Sequence, residues 1–178
     1  DWSIVGPAWL AGLLVLSTDI SEIKAHERQL LEVNAELALG RTTAARLAYA
    51  QALTRALEID EPNQHNASAG LARVALAEGD VAAAVAALQA LLDCIAAGGT
   101  LDGTEFPRQI ELTCHQTLAR AGDPRAADWL ARAHTALMAQ ADAISQHSAD
   151  PSLRHGFLNN IPHHREIMAA WLRLEDPA

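Results

Sequence analysis

The sequence predicts an all-α protein, an α-solenoid in which short helical hairpins stack side by side behind an apolar N-terminal segment. Half of the residues are hydrophobic while only 4% are aromatic, and the abundance of Ala and Leu favours closely packed helices over sheets. Glycine-containing breaks at Gly40, Gly79 and Gly122 separate helical stretches. These breaks recur about every 40 residues, a period typical of helix–turn–helix repeats.

Residues 1–22 are expected to form the apolar segment. The run Trp2–Leu16 contains Gly6 and Pro7 and has no basic flank. It also falls short of the about 20 apolar residues that span a bilayer. We therefore expect a buried strand, a short helix or an apolar face left exposed by truncation.

Residues 23–178 are predicted to form one helical repeat domain that ends in capping helices. Helix-forming stretches come in pairs, and a short turn separates the two members of each pair. The pairs are Ile23–Leu39 with Thr42–Ile59, Ala67–Glu78 with Val81–Ala96, Pro107–Ala121 with Pro124–Ser145, and Pro151–Leu158 with Pro162–Leu174.

The turns carry residues that end one helix and begin the next. Glycine tolerates the left-handed conformation that ends a helix, and a neighbouring Asp can accept backbone N–H bonds at the following helix start. Asp123 and Asp150 are therefore predicted N-caps, with Pro124 and Pro151 as the first helical residues.

Small residues stand five positions after three of the glycines, where paired helices are expected to approach closely. They are Ala45, Ala84 and Ala127.

The last helix carries an apolar stripe opposite a polar face, as a unit that covers the open end of a solenoid requires. The stripe is Ile167, Met168, Trp171 and Leu172, and the polar face is Arg165, Glu166, Arg173 and Glu175.

The breaks "ALGRTTAARL", "AEGDVAAAVA" and "RAGDPRAADW", together with "RALEIDEP" at the end of a second helix, resemble the tetratricopeptide repeat. Most of the aromatic residues of that repeat are missing, and the period here is longer. Residues Ala67 to Trp171 also resemble the end of the helical-repeat region of large bacterial multidomain, ATPase-type signalling regulators. This resemblance implies a scaffold without catalytic residues.

The stretch "GLLVLSTDISEIKAHERQLLEVNAEL" resembles the exit strand and signalling helix of a PAS sensor domain. The matching residues are Asp19, Ile20, Ser21, Glu22, Lys24, Glu27 and Leu30.

The helix that follows this stretch has a second interpretation. Ile23, Leu30 and Leu37 recur every seven residues with Val33 between them, which indicates a seam that could pair two copies of the chain. The alternative is that Ile23–Leu39 is the first helix of the first repeat, since Gly40 falls in register with the other breaks.

Net charge and cysteine content limit the partners and the compartment. The formal charge is −9 from 13 basic and 22 acidic residues, which disfavours binding to a phosphate backbone, and no Lys/Arg block points to a membrane surface. Cys94 and Cys114 are too few for a disulfide framework, so we expect a reducing, cytoplasmic compartment.

No constellation in the sequence predicts an enzyme, a metal site or a cofactor. His163 and His164 are adjacent and point about 100° apart on a helix, and His155 is the nearest further ligand. A zinc site needs three or four convergent ligands. The Gly-rich loop Ala96–Pro107 lacks the Lys and Ser/Thr of a phosphate loop.

We therefore expect a non-catalytic scaffold whose groove binds a protein segment or another domain of the same polypeptide. The first helix of each hairpin would line the groove, with Arg73, Glu78, Gln109, His115 and Gln116 as the candidate residues. The resemblance to bacterial regulators also implies an alternative, a groove that senses a small effector. A dimerisation module built on the Ile23–Leu37 seam is a further alternative.

Overall fold

The structure, a computed structural model, describes residue 34 and residues 40–58 and 64–175. The apolar segment 1–22, the PAS-like stretch and the predicted seam (Ile23, Leu30, Val33 and Leu37) lie outside the described residues. Internal contacts divide the chain into two compact units, Asp1–Ala45 and Arg46–Ala178. The packing described below is that of the second unit.

Seven helices account for most of the described residues, and no strand occurs among those residues. The helices are α1 (Thr42–Glu58), α2 (Gln64–Ala77), α3 (Val81–Ala96), α4 (Pro107–Arg120), α5 (Ala126–His147), α6 (Pro151–Asn159) and α7 (Pro162–Glu175). The prediction of an all-α protein is confirmed for this part of the chain. The helix ends lie within about three residues of the predicted ones, the usual uncertainty of helix boundaries.

Two of the predicted breaks are glycine-terminated helix ends. Gly79 and Gly122 have φ angles of 81° and 71°, a region that favours glycine because it has no Cβ. After α2, the Gly79 N–H donates to the Leu76 carbonyl at 3.1 Å and the Asp80 N–H donates to the Ala75 carbonyl at 2.9 Å. This pair of bonds is the Schellman motif, which satisfies carbonyls left over at the helix end.

Asp side chains accept backbone N–H bonds near three helix starts, and at the third of these the helix begins later than predicted. Asp80 accepts from the Ala83 N–H at 2.9 Å, and Asp150 accepts from the Ser152 N–H at 2.9 Å with Pro151 as the first helical residue. At α5 the helix begins at Ala126 and not at the predicted Pro124.

The cause of the later start of α5 is a local turn. Asp123 Oδ1 accepts from the Arg125 N–H at 2.9 Å, and the Asp123 carbonyl accepts from the Ala126 N–H at 3.1 Å. Residues 124 and 125 are therefore held in a turn before the helix begins.

The three small residues predicted at close approaches differ in burial. Ala45 and Ala84 are fully buried, whereas Ala127 is exposed, so the prediction of a close approach at Ala127 is wrong. Ala126 and Trp129 are the buried residues at the start of α5.

Two apolar clusters hold the helices together, and α4 contributes to both. The first joins α2, α3, α4 and the start of α5, with Leu88, Leu91 and Leu118 at its centre. The second joins α4, α5, α6 and α7, and includes Leu112 and Ile167. Each fully buried Leu or Ile stabilises the fold by about 1.5–3 kcal/mol relative to its exposed state.

The helices pack mainly as hairpins, α2 with α3 and α4 with α5. α4 also contacts α2 on one side and α7 on another, so α2, α4 and α7 form a row. α6 has nine residues and a single buried one, Leu158. It packs mainly against α5 and α7.

The apolar stripe predicted on the last helix is partly confirmed. Ile167 is fully buried and Met168 and Trp171 pack against the second cluster. Leu172, however, is 60% exposed, so it is not part of the buried stripe. Arg165, Glu166, Arg173 and Glu175 are exposed as predicted.

No helix in the described ranges combines the length and the apolar character needed to cross a membrane.

Candidate binding site

Glu111 on α4 is a buried carboxylate held between two arginines. Its side chain is 1% exposed. Oε1 accepts from Arg132 Nε on α5 at 3.0 Å, and Oε2 lies 3.2 Å from Arg108 Nη1, one turn earlier on α4. The single negative charge of Glu111 is therefore paired with two guanidinium groups, and the three residues together carry a net charge of +1.

Burial is the largest influence on this carboxyl, and it raises the pKa of Glu111 because it penalises the charged form. The charges of Arg108 and Arg132 act in the opposite direction. Cys114 lies one turn after Glu111 and is fully buried. Burial and the Glu111 charge both raise the pKa of its thiol, so the thiol remains protonated and unreactive.

An open cavity of about 230 Å³ lies between α3 and α5, beside this charged group. Its walls are mostly apolar, and its charged groups come from α5 and the turn before it. It is lined by Leu92, Ile95, Ala96, Arg125, Asp128, Trp129 and Arg132.

Arg132 connects the cavity to the buried carboxylate. Its Nε donates to Glu111, and its guanidinium carbon lies 5.6 Å from the centre of the Trp129 ring. The side chain is 41% exposed. Within the described ranges, neither terminal nitrogen of Arg132 donates a hydrogen bond, so both are available to a ligand.

Arg125, unlike Arg132, forms a two-point ion pair with a carboxylate at the surface, that of Asp123. Its Nε donates to Asp123 Oδ1 at 3.0 Å and its Nη2 donates to Asp123 Oδ2 at 2.7 Å. This two-point pair lowers the pKa of the Asp123 carboxyl. Asp128, which is exposed, adds a negative charge on the same side of the cavity.

Of the predicted groove residues, Arg73 and Glu78 lie on or just after α2 and contact α1. Arg73 Nη2 donates to the Tyr49 hydroxyl at 2.8 Å, and its guanidinium carbon lies 5.7 Å from the centre of the Tyr49 ring. Glu78 forms an ion pair with Arg46.

The other three predicted groove residues lie on α4. His115 Nδ1 is 2.9 Å from the Ala126 carbonyl, which joins α4 to the start of α5. Gln116 Nε2 donates to Glu166 Oε2 on α7 at 3.1 Å. Gln109 is half-buried and lies seven residues before Gln116, on the same side of the helix. That these residues line one groove stays a prediction.

Two histidines stand at the start of α7, the half-buried His163 and the buried His164. The rings of His163 and His164 meet edge to face with centres 4.6 Å apart, and His164 Nδ1 is 2.8 Å from the Phe157 carbonyl. Burial, with the neighbouring His164 and Arg73, lowers the pKa of His163 to about 4. Burial also lowers the pKa of His164, with a smaller contribution from Arg108. Arginines of α2 and α4 therefore lie near the histidines of α7.

Among the residues that the structure describes, no three His, Cys, Asp or Glu side chains come together to hold a metal ion.

Sequence reasoning did not single out Glu111, Arg132 or Trp129. One local signal was present, since Glu111 stands between Ile110 and Leu112 on α4, and Arg108 precedes it by one turn. Arg132 lies 21 residues further along the chain, and no sequence pattern indicates that it reaches Glu111.

Comparison of the chain with protein-family models, curated proteins and solved structures finds no match in any of the three.

Proposed function

We propose that this chain is a non-catalytic interaction scaffold, a tetratricopeptide-like solenoid that binds a protein segment or another domain of its own polypeptide. Its setting would be the C-terminal regulatory part of a bacterial signalling or transcriptional regulator in the cytoplasm. The binding surface is the α2–α4–α7 face, defined by Arg73, Gln116, His163 and Glu166.

One observation supports this proposal most directly. Along the row of α2, α4 and α7, polar side chains of different helices interact with one another. Gln116 of α4 donates to Glu166 of α7 at 3.1 Å, and the charge of Arg73 on α2 acts on His163 of α7. Helices stacked in a row with polar groups along one side present the extended surface on which repeat proteins bind peptides.

The chemistry of the thiols supports a role without catalysis. Cys94 and Cys114 are both free. Cys114 is buried and its thiol is kept protonated, whereas a catalytic cysteine needs an exposed site that favours the thiolate.

A displayed library of random peptides, selected on the whole 178-residue chain, tests the proposal. Selected peptides should bind with micromolar affinity in fluorescence polarisation. The variant Gln109→Glu/Glu166→Lys should weaken binding by about tenfold, a loss of about 1.4 kcal/mol. The control variant Gln89→Lys/Gln140→Lys, at exposed positions of α3 and α5, should leave the affinity unchanged.

Two results would count against the scaffold. One is a library that yields no binder above background. The other is a set of peptides whose affinity falls equally in both variants, which would place the binding surface elsewhere or indicate non-specific adhesion.

A further inference from the structure

We propose that the cavity between α3 and α5 binds a small monocarboxylate with an apolar body. The carboxylate would be held by the terminal nitrogens of Arg132, and the body would lie against Trp129, Leu92 and Ile95. This assignment concerns a different surface from the α2–α4–α7 face, and it does not depend on the scaffold proposed above.

Arg132 is placed to receive a carboxylate. Its Nε is already fixed by Glu111 at 3.0 Å, which orients the planar guanidinium and leaves its outer edge exposed. Hydrogen bonds between a guanidinium and a carboxylate are charge-assisted and usually two-pointed. Because the Arg132 side chain is already partly ordered, ordering it on ligand binding costs less conformational entropy, and less binding free energy is lost.

The charge balance of the buried group favours an anion at this position. Arg108 and Arg132 share the single charge of Glu111, so these three residues together carry a net charge of +1. Only Arg132 of the two arginines lines the cavity. An incoming carboxylate would complete the pairing of the buried group.

The walls of the cavity select an apolar body of limited size. Leu92 and Trp129 are buried in the first apolar cluster, and each presents part of its surface to the cavity beside Ile95 and Ala96. The volume of about 230 Å³ is below the about 300–1,000 Å³ of pockets for drug-sized molecules. The ligand is therefore a small acid, with a body about the size of one aromatic ring.

Acidic groups near the cavity disfavour ligands with more than one negative charge. Asp128 lines the cavity at an exposed position, and the ion pair of Arg125 with Asp123 brings a second carboxylate near it. The charge of Asp93 also acts on Arg125. A phosphate dianion would meet repulsion from these carboxylates, which a monocarboxylate meets to a smaller extent.

The assignment is tested by titrating the whole chain with phenylacetate. The indole N–H signals in ¹H–¹⁵N NMR spectra report the binding. Trp129→Phe identifies which signal belongs to Trp129. Phenylacetate should shift that signal saturably, with a dissociation constant in the millimolar range or below. Phenylacetamide, which lacks the charge, and inorganic phosphate should each bind at least about tenfold more weakly.

Variants then separate the carboxylate contact from general apolar adhesion. Arg132→Gln should weaken phenylacetate binding by about tenfold or more, and Asp128→Asn should tighten it by about threefold, since it removes a repelling charge. Arg154→Gln, which removes a half-buried arginine of α6 that pairs with Asp142, serves as the control and should have no effect.

The assignment is overturned if the Trp129 signal does not move, if phenylacetamide binds as well as phenylacetate, or if Arg132→Gln and Arg154→Gln bind alike. If Arg132→Gln is unstable, the Asp128→Asn variant, which changes an exposed position, is used as the test instead. Unchanged or weaker binding in that variant would contradict the charge argument. None of these outcomes affects the peptide-binding test of the scaffold.

Discussion

The ring of Tyr49 on α1 lies so close to the backbone of Gly70 on α2 that no side chain fits at residue 70. A Cβ built on Gly70 would overlap ring atoms of Tyr49. Tyr49 is 1% exposed, and its hydroxyl accepts from Arg73 one turn further along α2. A glycine in the middle of a helix usually weakens it, but here it allows α1 and α2 to approach.

Gly70→Ala should therefore destabilise the protein, although alanine is the better helix former. We expect the free energy of unfolding to fall by about 1–3 kcal/mol, the usual cost of overpacking a core. Gly156→Ala is the matched control. A Cβ at residue 156 meets only the Asn160 side chain, at 3.3 Å, so this change should be neutral or stabilise by up to about 1 kcal/mol. Urea unfolding measures both, and equal effects would contradict the close approach.

Removing the buried carboxylate should be far more damaging than removing an exposed one. Glu111→Ala leaves Arg108, whose side chain is 13% exposed, without its counter-ion. We expect a loss of about 3–5 kcal/mol, as for other broken buried ion pairs. Glu166→Ala, at an exposed position hydrogen-bonded to Gln116, should cost about 1 kcal/mol or less. Similar midpoints for the two variants in urea unfolding would argue against the buried triad.

Protonation of His163 should reduce stability as the pH falls. The pKa of this group is lowered from 6.5 to about 4, so between these values the unfolded chain binds a proton that the folded chain does not. The stabilising contribution is complete above pH 6.5 and is lost progressively as the pH falls towards about 4. Burial lowers the pKa of His65, His134 and His164 in the same sense.

His163→Asn should therefore flatten the fall in stability between pH 6.5 and about 4, without abolishing it, because the other histidines still titrate. His155→Asn, at an exposed position of α6, is the control and should leave the slope as in the wild type. The raised pKa of Glu111 acts in the opposite sense, since its protonation favours the folded state. Thermal unfolding followed at a series of pH values measures the slopes, and identical slopes in the wild type and His163→Asn would refute the prediction.

The two cysteines should react at very different rates with a thiol reagent such as DTNB. Cys94 is half-buried, whereas Cys114 is buried and its pKa is raised, which lowers both its access and its thiolate fraction. In the folded protein at neutral pH, one thiol per chain should react, and two should react after unfolding in urea. Cys94→Ser should abolish the reaction of the folded protein. A reaction that persists in this variant would show that α4 opens readily.

Local signals predicted the helices because their ends depend on residues that are neighbours in the chain. Gly79 ends α2 and Asp80 begins α3 through bonds to groups at most five residues away. The same kind of reasoning misplaced the start of α5, where the Asp123 carboxylate bonds to Arg125 and holds the intervening proline in a turn. The same side-chain bond therefore stands at the start of a helix at Asp150 and in a turn before the helix at Asp123.

The candidate site could not be predicted in the same way. Arg108 and Glu111 are one turn apart, and their pairing follows from helical spacing. The second arginine, however, comes from α5, and the cavity is formed by α3 and α5 together. The row of α2, α4 and α7 likewise depends on contacts between helices that are separated in the chain.

By itself, the sequence determined that the described part of this protein is helical and where most of its helices begin and end, because capping, glycine turns and helix propensity act over a few residues. Only the tertiary structure decided that Glu111 lies between two arginines, that Tyr49 covers Gly70 and that Arg132 faces an apolar cavity. Apart from the pairing of Arg108 with Glu111, these contacts join residues 21 or more positions apart, and they form only when the apolar faces of separate helices are buried against one another in one particular rotation and order.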